Sequence, residues 1–435
     1  MSTFDMASLV FVFAAGIGIA NERYLKWPRV IALLICALLA SLLIMTIGTF
    51  FTSSNLKELA QHRIEAAHLP RILLDGLLAL LLFAASLHVD LRELRSQAWA
   101  VFGLATLGVI VATALLAFGL FATFHLAGIK MPLAWCFVLG AVLAPTDAVA
   151  VEGLLRRIRI PTSLRALVTG EALFNDGTAV ILFFAALAAT QGQAGVVGHG
   201  HIVFSLFVEG AAGVVLGILA GYLAQLAMRR IRDENLAVTI SLALALSTYR
   251  LAVAFGISGP IAVVVSGIVL ANQPARSFAL ANLREKLVAF WSLVDDLLNT
   301  LLFILMGFEM LAIDLSPAVI LPLLLAIPLA FVARLVSVCA LVPLLPRGSQ
   351  EKSRAIAALS WLGLRGGISI ALVLNLPPTP YRAGLSAVCY GVVIFTIVVQ
   401  GLLTPRVLKA LYGGKLEPAL SPPGLENAKA TRTSR

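Results

Sequence analysis

Long apolar segments recur along almost the whole chain and are separated by short polar loops. A helix needs about 20 mostly apolar residues to cross the hydrocarbon core of a bilayer, and about thirteen segments reach or approach that length. Hydrophobic residues make up 60% of the 435 positions and charged residues only 12%, which excludes an ordinary soluble domain. The pattern therefore predicts an all-α polytopic membrane protein whose membrane domain covers residues 1–411.

The 32 Lys and Arg residues are concentrated in alternate loops, for example at Arg23, Lys26 and Arg29. Because loops on the cytoplasmic side carry the excess of positive charge, this asymmetry predicts an outside N-terminus and a cytoplasmic C-terminus in the cell (inner) membrane. The same rule accounts for the net charge of +10, so we expect no nucleic-acid partner. Residues 412–435 are polar and are expected to form a short, disordered cytoplasmic tail.

Motifs for enzymatic or cofactor chemistry are missing from the sequence. The four cysteines lie singly in apolar segments, without the paired spacing of a zinc site or a disulfide framework. No P-loop, GxGxxG motif or nucleophile elbow occurs in a supporting context. We therefore expect neither an enzyme nor a bound cofactor.

The run GEALFNDG, residues 170–177, places Glu171, Asn175 and Asp176 inside an apolar helical segment. A charged side chain deep in a bilayer costs roughly 2.5 to 3.5 kcal/mol on insertion scales, so such residues face a protein interior or a water-filled cavity. Glu171 and Asn175 share one helix face, and Asp176 points in another direction. Gly170 and Gly177 are nearly in register and would let a second helix approach closely.

Two further segments carry signals for broken helices. Pro145 interrupts the helix in APTDAVAV (144–151), and the glycines of GLRGGISIAL (363–372) permit unwinding. The two stand seven predicted spans apart, as expected if the first six spans are repeated in inverted orientation. Transporters with inverted repeats place their substrate site where such broken helices cross.

Asp147 follows the Pro145 break, and its carboxylate is a hard oxygen ligand suited to a hard cation. A buried pair formed by Asp147 and Asp176 would bind either a proton or a cation, but not both together. This predicts an exchanger's site. A second interpretation of Asp147 is a helix cap that compensates the dipoles of the broken helix.

The remaining buried charges need partners of their own. Arg334, inside the eleventh predicted span, is the expected partner of Glu171, with Asn175 bridging in a structural network. Arg365 is expected to offset the partial negative charge at a broken helix end.

The tenth predicted span carries three more polar residues. Asp295 and Asp296 are expected near its end, in contact with headgroups or cytoplasm, and Asn299 is expected to hydrogen-bond to another helix.

At APTDAVAV (144–151), GEALFNDGTAV (170–180) and WLGLRGGISIAL (361–372), the sequence resembles the monovalent cation:proton antiporters of the NhaP-type branch, bacterial relatives of the animal sodium/proton exchangers. The resemblance covers essentially the whole chain. It implies about thirteen helices in an inverted repeat, with two crossed unwound helices. It also implies a homodimer whose core bundle includes about 71–190 and 287–376, while the remaining spans form a dimerisation scaffold.

The same resemblance implies residue roles. Asp147 and Asp176 would bind the transported cation or proton, and Thr146 would contribute through its backbone. Glu171 would pair with Arg334, and Asn175 in place of a second Asp resembles the electroneutral branch. The implied activity is exchange of Na⁺, Li⁺ or K⁺ for H⁺ by alternating access.

Two positions depart from the usual pattern of this branch, and they leave the choice of ion open. Ala84 stands where many members have Glu, and Ala172 where many have Ser. Water or Ser86 would have to replace the missing ligand oxygens. Two alternative functions are a cation channel and a degenerate, non-transporting antiporter that acts as a membrane sensor.

Overall fold

The computed structural model describes residues 3–50, 77–89, 91–155, 160–190, 199–229, 231, 233–272, 278–309, 316–344 and 349–412. Helices contain nearly all of these residues, and the described part of the chain includes no β-strand. The predicted all-α fold class is therefore confirmed. From residue 413 onwards the predicted tail lies outside the described residues.

Eight helices form the N-terminal part of the chain: α1 (Thr3–Ala20), α2 (Arg29–Phe50), α3 (Leu78–Ser86), α4 (Leu91–Ser96), α5 (Ala98–Leu126), α6 (Leu133–Leu143), α7 (Ala148–Leu155) and α8 (Thr162–Thr190). The C-terminal part follows with α9 (His199–Met228), α10 (Glu234–Ala254), α11 (Gly259–Ala271), α12 (Phe278–Glu309), α13 (Pro317–Ala340), α14 (Ser349–Trp361), α15 (Gly367–Leu374) and α16 (Arg382–Tyr412).

Within the described residues, 8 helices are long and apolar enough to cross a membrane. They are α1, α5, α8, α9, α10, α12, α13 and α16. The other predicted spans correspond to helix α2, to the shorter helices α3 and α11, and to the helix pairs α6 with α7 and α14 with α15. The number thirteen stays a prediction, whereas the multi-pass architecture is clear.

Both predicted breaks are present, and they lie against each other. Helix α6 ends at Leu143 and α7 begins at Ala148, on either side of Pro145. The second break separates α14 from α15. Across the two, the backbone N–H of Asp147 donates a hydrogen bond of 2.8 Å to the carbonyl of Leu364. Backbone groups that a break leaves without helical partners are thus satisfied by the opposite break.

The two glycines of helix α8 pack against different neighbours. A methyl group at Gly170 would meet Leu94 and Val101, which belong to α4 and α5, whereas one at Gly177 would meet Ile261 of α11. The expectation of one closely packed partner helix is therefore wrong. A glycine pair in register marks a face of the helix, but a helix as long as α8 crosses several neighbours along that face.

Candidate cation and proton site

Asp147 lies in the first break, directly before helix α7, and its side chain is buried. Its Oδ1 accepts a hydrogen bond of 3.1 Å from the backbone N–H of Ala150, which is the geometry of an N-terminal helix cap. The predicted capping role is therefore present. Oδ2 lies beside Gly366, at the start of the other broken helix. One carboxylate thus contacts both breaks.

Asp176 is buried within α8. Its Oδ1 accepts no hydrogen bond from the described part of the chain. Its chain neighbour Asn175 hydrogen-bonds to Thr146, which directly precedes Asp147. The structure therefore brings the two aspartates into one buried region, where a carboxylate oxygen without a partner calls for a proton or a cation.

Asn175 ties helix α8 to the first break. Its Nδ2 donates to Thr146 Oγ1 at 2.8 Å and to Glu171 Oε1 at 3.3 Å. Asn175 and Thr146 are both buried, so these hydrogen bonds are shielded from solvent. They hold the segment that carries Asp147 in a defined position against α8.

Glu171 and Arg334 form a bidentate ion pair. Arg334 Nη1 and Nη2 donate to the two carboxylate oxygens of Glu171, each at 2.6 Å. Nε and Nη2 of Arg334 also donate to the carbonyl of Leu359, each at 3.2 Å. The pair joins α8, α13 and α14, as expected of a structural element.

Arg365 lies in the second break and reaches across to the first. Its Nη1 donates to the carbonyl of Pro145 at 2.8 Å and also to the carbonyl of Ala144. These carbonyls follow the C-terminal end of α6, where the helix dipole is negative. Its backbone N–H donates to Thr396 Oγ1 at 3.2 Å. A fixed positive charge is thereby held at the crossing.

The two departures from the family pattern are apolar positions in the structure as well. Ala84 and Ala172 are fully buried among hydrophobic neighbours. The hydroxyl of Ser86 donates to the carbonyl of Phe83 at 2.7 Å and packs beside Gly267 of α11. This hydroxyl proton therefore serves the helix of Ser86 itself.

A cavity of about 250 Å³ opens beside the first break, and we call it the vestibule. Its lining includes these residues from α2, α3, α7 and α12 and the loops beside them: Arg29, His88, Ala150, Glu152, Asp295, Asp296, Asn299, Thr300 and Leu364. Ala150 and Leu364 both hydrogen-bond to Asp147 through backbone groups. The inner end of the vestibule therefore reaches the candidate site.

Two expectations for helix α12 are wrong. Asp295 is buried in the lining of the vestibule rather than in direct contact with headgroups or cytoplasm, and Asn299 donates to Asp295 Oδ1 at 3.0 Å within its own helix rather than to another one. Asp296 is exposed, as predicted. The spacing of four residues between Asp295 and Asn299, which places both on one face, was the signal available in the sequence.

Two broken helices that cross beside buried carboxylates, within a bundle of membrane-length helices, define the class of the protein. It is a secondary transporter, because this arrangement places an ion site at the contact between the breaks. The fold and the site together point to a multi-pass transporter of small cations.

Comparison with known proteins identifies the family. Residues 6–410 match the family model described as "Sodium/hydrogen exchanger, transmembrane". The chain belongs to the sodium/hydrogen exchanger family, whose members are membrane transporters rather than enzymes.

Two similar relatives match over nearly their full length. The chain is 34% identical over 417 residues to the Na⁺/H⁺ antiporter NhaP of Pseudomonas aeruginosa, covering 94% of this chain and 97% of the relative. It is 31% identical over 404 residues to the Na⁺/H⁺ antiporter NhaH of Halobacillus dabanensis, covering 90% and 94%. The solved structure of the sodium proton antiporter MjNhaP1 from Methanocaldococcus jannaschii superposes with a TM-score of 0.69 at 19% identity, covering 94% of this chain and 98% of that one.

Proposed function

We propose that the protein is an electroneutral antiporter that exchanges one monovalent cation, Na⁺ and/or K⁺ or Li⁺, for one proton. Cation and proton compete for Asp147 and Asp176. Its relatives are Na⁺/H⁺ antiporters, which supports cation:proton exchange as the general activity. The proposal is carried by the burial of Asp147 in the first break and of Asp176 in helix α8 beside it.

The chemistry follows from the local surroundings of the two carboxylates. Asp176 Oδ1 has no hydrogen-bond donor among the described residues, and Asp147 Oδ1 accepts the capping hydrogen bond of helix α7. A cation with a preference for hard oxygen ligands would bind between these carboxylates and the backbone at Thr146. When the cation leaves, a proton neutralises the site, because two unprotonated carboxylates without a cation repel each other at close range.

Asn175 bears on the stoichiometry. It contributes no charge, and its amide is engaged by Thr146 and Glu171. Glu171 is neutralised by Arg334, and Arg365 provides a fixed positive charge at the break. The mobile charge of the site is therefore set by the two aspartates, which supports the exchange of one cation for one proton.

Transport by alternating access requires the crossing to face each side in turn. We assign the moving core to about 71–190 and 287–376 and the dimerisation scaffold to the remaining spans of residues 1–411. In this proposal the protein is a homodimer in the cell membrane, with its N-terminus outside and its C-terminus in the cytoplasm. The core carries Asp147 and Asp176 past the scaffold.

The test uses everted membrane vesicles with an imposed pH gradient. Adding Na⁺, Li⁺ or K⁺ should dissipate the gradient in vesicles with the wild-type protein, and Asp176→Asn should abolish the response. The same substitution at Asp233, an exposed residue that caps α10, should leave it intact because Asn also caps helices.

Three outcomes would contradict the proposal. An Asp176→Asn protein that is as active as the wild type would exclude the aspartate site. Cation flux that follows the membrane potential without proton counterflow would indicate a channel instead, and absence of any cation response at every pH would indicate a non-transporting protein.

A further inference from the structure

Asn299, one of the residues that line the vestibule, carries a side-chain oxygen without a hydrogen-bond partner among the described residues. Asn299 is 6% exposed, and its Nδ2 is engaged by Asp295. Its carbonyl oxygen Oδ1, in contrast, is buried and accepts no hydrogen bond from the described residues. Leaving such an acceptor without a partner costs about 1–3 kcal/mol, so a ligand at this position is expected.

The groups around that oxygen favour a cation as the ligand. Among the described residues that line the vestibule, Asp295, Asp296 and Glu152 carry carboxylates and only Arg29 carries a guanidinium. His88 also lines it, with Nε2 at 3.2 Å from Ser292 Oγ and Nδ1 at 3.0 Å from the carbonyl of Ala84. The formal charge of the described lining residues is therefore negative even when Arg29 is counted.

Arg165 reduces that negative charge only slightly. Its Nη1 lies 3.9 Å from Glu152 Oε1 and both side chains are partly exposed, which makes this a weak, screened pair. Carboxylate and amide carbonyl oxygens are the ligands that hard cations prefer. The lining is thus suited to a monovalent cation that keeps part of its hydration shell.

The position of the vestibule relates it to the aspartate site. Ala150 and Leu364 line its inner end, and both hydrogen-bond to Asp147 through their backbones. Its volume of about 250 Å³ exceeds that of one water molecule, about 30 Å³, several times. A hydrated ion therefore fits, and at the inner end it would lie beside the residues that hydrogen-bond to Asp147.

We propose that the vestibule holds a second cation position, formed by Asn299 Oδ1 and the Asp295 carboxylate, where a cation from the cytoplasm stops before it reaches Asp147 and Asp176. The inference rests on the proposed antiport function, because the second position would deliver the cation to the aspartate site. It makes Asn299 a determinant of how well the inward-facing protein captures its cation, and not of the exchange step itself.

Kinetics from the two sides of the membrane test this position. Asn299→Leu should raise the KM for Na⁺ presented to the cytoplasmic face about fivefold, with kcat within about twofold of wild type, because one weak attraction between a cation and an oxygen is lost. The KM for Na⁺ presented to the outer face should stay unchanged. Asn299→Asp restores an oxygen and adds a charge, and it should lower the cytoplasmic KM below that of the wild type.

The matched control is Asp233→Asn, which alters an exposed side chain on the same predicted side of the membrane but outside the vestibule lining. It should leave both KM values unchanged. If Asn299→Leu is present at wild-type abundance and its cytoplasmic KM equals that of the wild type, the second position does not exist. An equal rise in KM on both faces would also overturn it, because that result indicates a general distortion.

A binding measurement separates this inference from the proposed function. In crystals of purified Asp176→Asn protein soaked in Tl⁺, anomalous density should appear at Asn299 and disappear in the double variant Asp176→Asn with Asn299→Leu. Absence of density in both would overturn the inference even if the wild type transports. A wild-type protein without transport would overturn the proposed function. The presence or absence of Tl⁺ density at Asn299 would still test the vestibule position.

Discussion

Glu171 and Arg334 are joined by two hydrogen bonds of 2.6 Å, although 163 positions separate them in the chain. Both residues are buried, and the pair lies inside the bundle rather than on its surface. Each charge makes burial of the other tolerable, because an unpaired charge in a low-dielectric interior carries a large desolvation penalty. The ion pair therefore fixes how α8, α13 and α14 pack around the aspartate site.

Removing one partner of this pair should destabilise the whole protein. We expect Glu171→Gln or Arg334→Gln to cost about 3–5 kcal/mol, since either leaves one buried charge without its partner. The double variant Glu171→Gln with Arg334→Gln should lose less than the sum of the two single variants. Folded yield and the thermal unfolding temperature in detergent measure the effect.

The control for that series is an ion pair on the surface. Lys286 contacts Glu234, but the Lys286 side chain is 62% exposed, so Lys286→Gln should change the unfolding free energy by about 1 kcal/mol or less. A Glu171→Gln protein that is as stable as the wild type but inactive would contradict the structural role. Such a result would instead place Glu171 in the transport chemistry.

A methyl group at Gly366 should disable the site without unfolding the bundle. The Cβ of Gly366→Ala would overlap the carboxylate of Asp147. Because a displacement of about 1 Å can cost a site on the order of a hundredfold in rate, we expect a loss of transport of that size. The initial rate of pH-gradient dissipation at saturating Na⁺, per amount of folded protein, gives the measurement.

Gly153→Ala provides the comparison, since Gly153 of α7 lines the roomy vestibule and a methyl group there meets no atom within 4 Å. This variant should transport normally, and its stability should stay the same or rise slightly because Ala favours a helix. Equal activity of Gly366→Ala and Gly153→Ala would show that the carboxylate of Asp147 need not keep its position beside the second break.

The apparent affinity for the cation should fall as the pH is lowered. If a proton and a cation compete for Asp147 and Asp176, lowering the pH fills the site with protons and raises the KM for Na⁺, while kcat at saturating Na⁺ changes much less. In the range where the site is protonated, the KM should rise by about tenfold per pH unit for a single competing proton. At higher pH the KM should reach a plateau.

Uptake of radioactive Na⁺ into proteoliposomes, with equal pH on both sides, measures this dependence. Asp233→Asn again serves as the control and should follow the wild-type curve. A KM that is constant across pH, together with a kcat that falls at low pH, would contradict competition. It would indicate that protons act at a different place from the cation.

Much of the site was accessible from the sequence because the helix period is regular. Charged residues in apolar segments have few ways to be tolerated, so the pairing of Glu171 with Arg334 and the polar break at Asp147 followed from composition and spacing. Asn299 shows the limit of such reasoning. Its side-chain oxygen can be recognised as a candidate ligand only from the cavity that α12 forms with α2, α3 and α7.

The sequence by itself determined that the chain is a bundle of membrane helices with two breaks and a small set of buried charges. These properties depend on local hydrophobicity and on the backbone preferences of Pro and Gly, which act over one or two helical turns. Only the tertiary structure decided that Asp147 N–H donates to the carbonyl of Leu364 and that Gly170 and Gly177 pack against different helices. Such contacts join residues far apart in the chain, and their geometry is set by how whole helices pack, which a period along one helix does not encode.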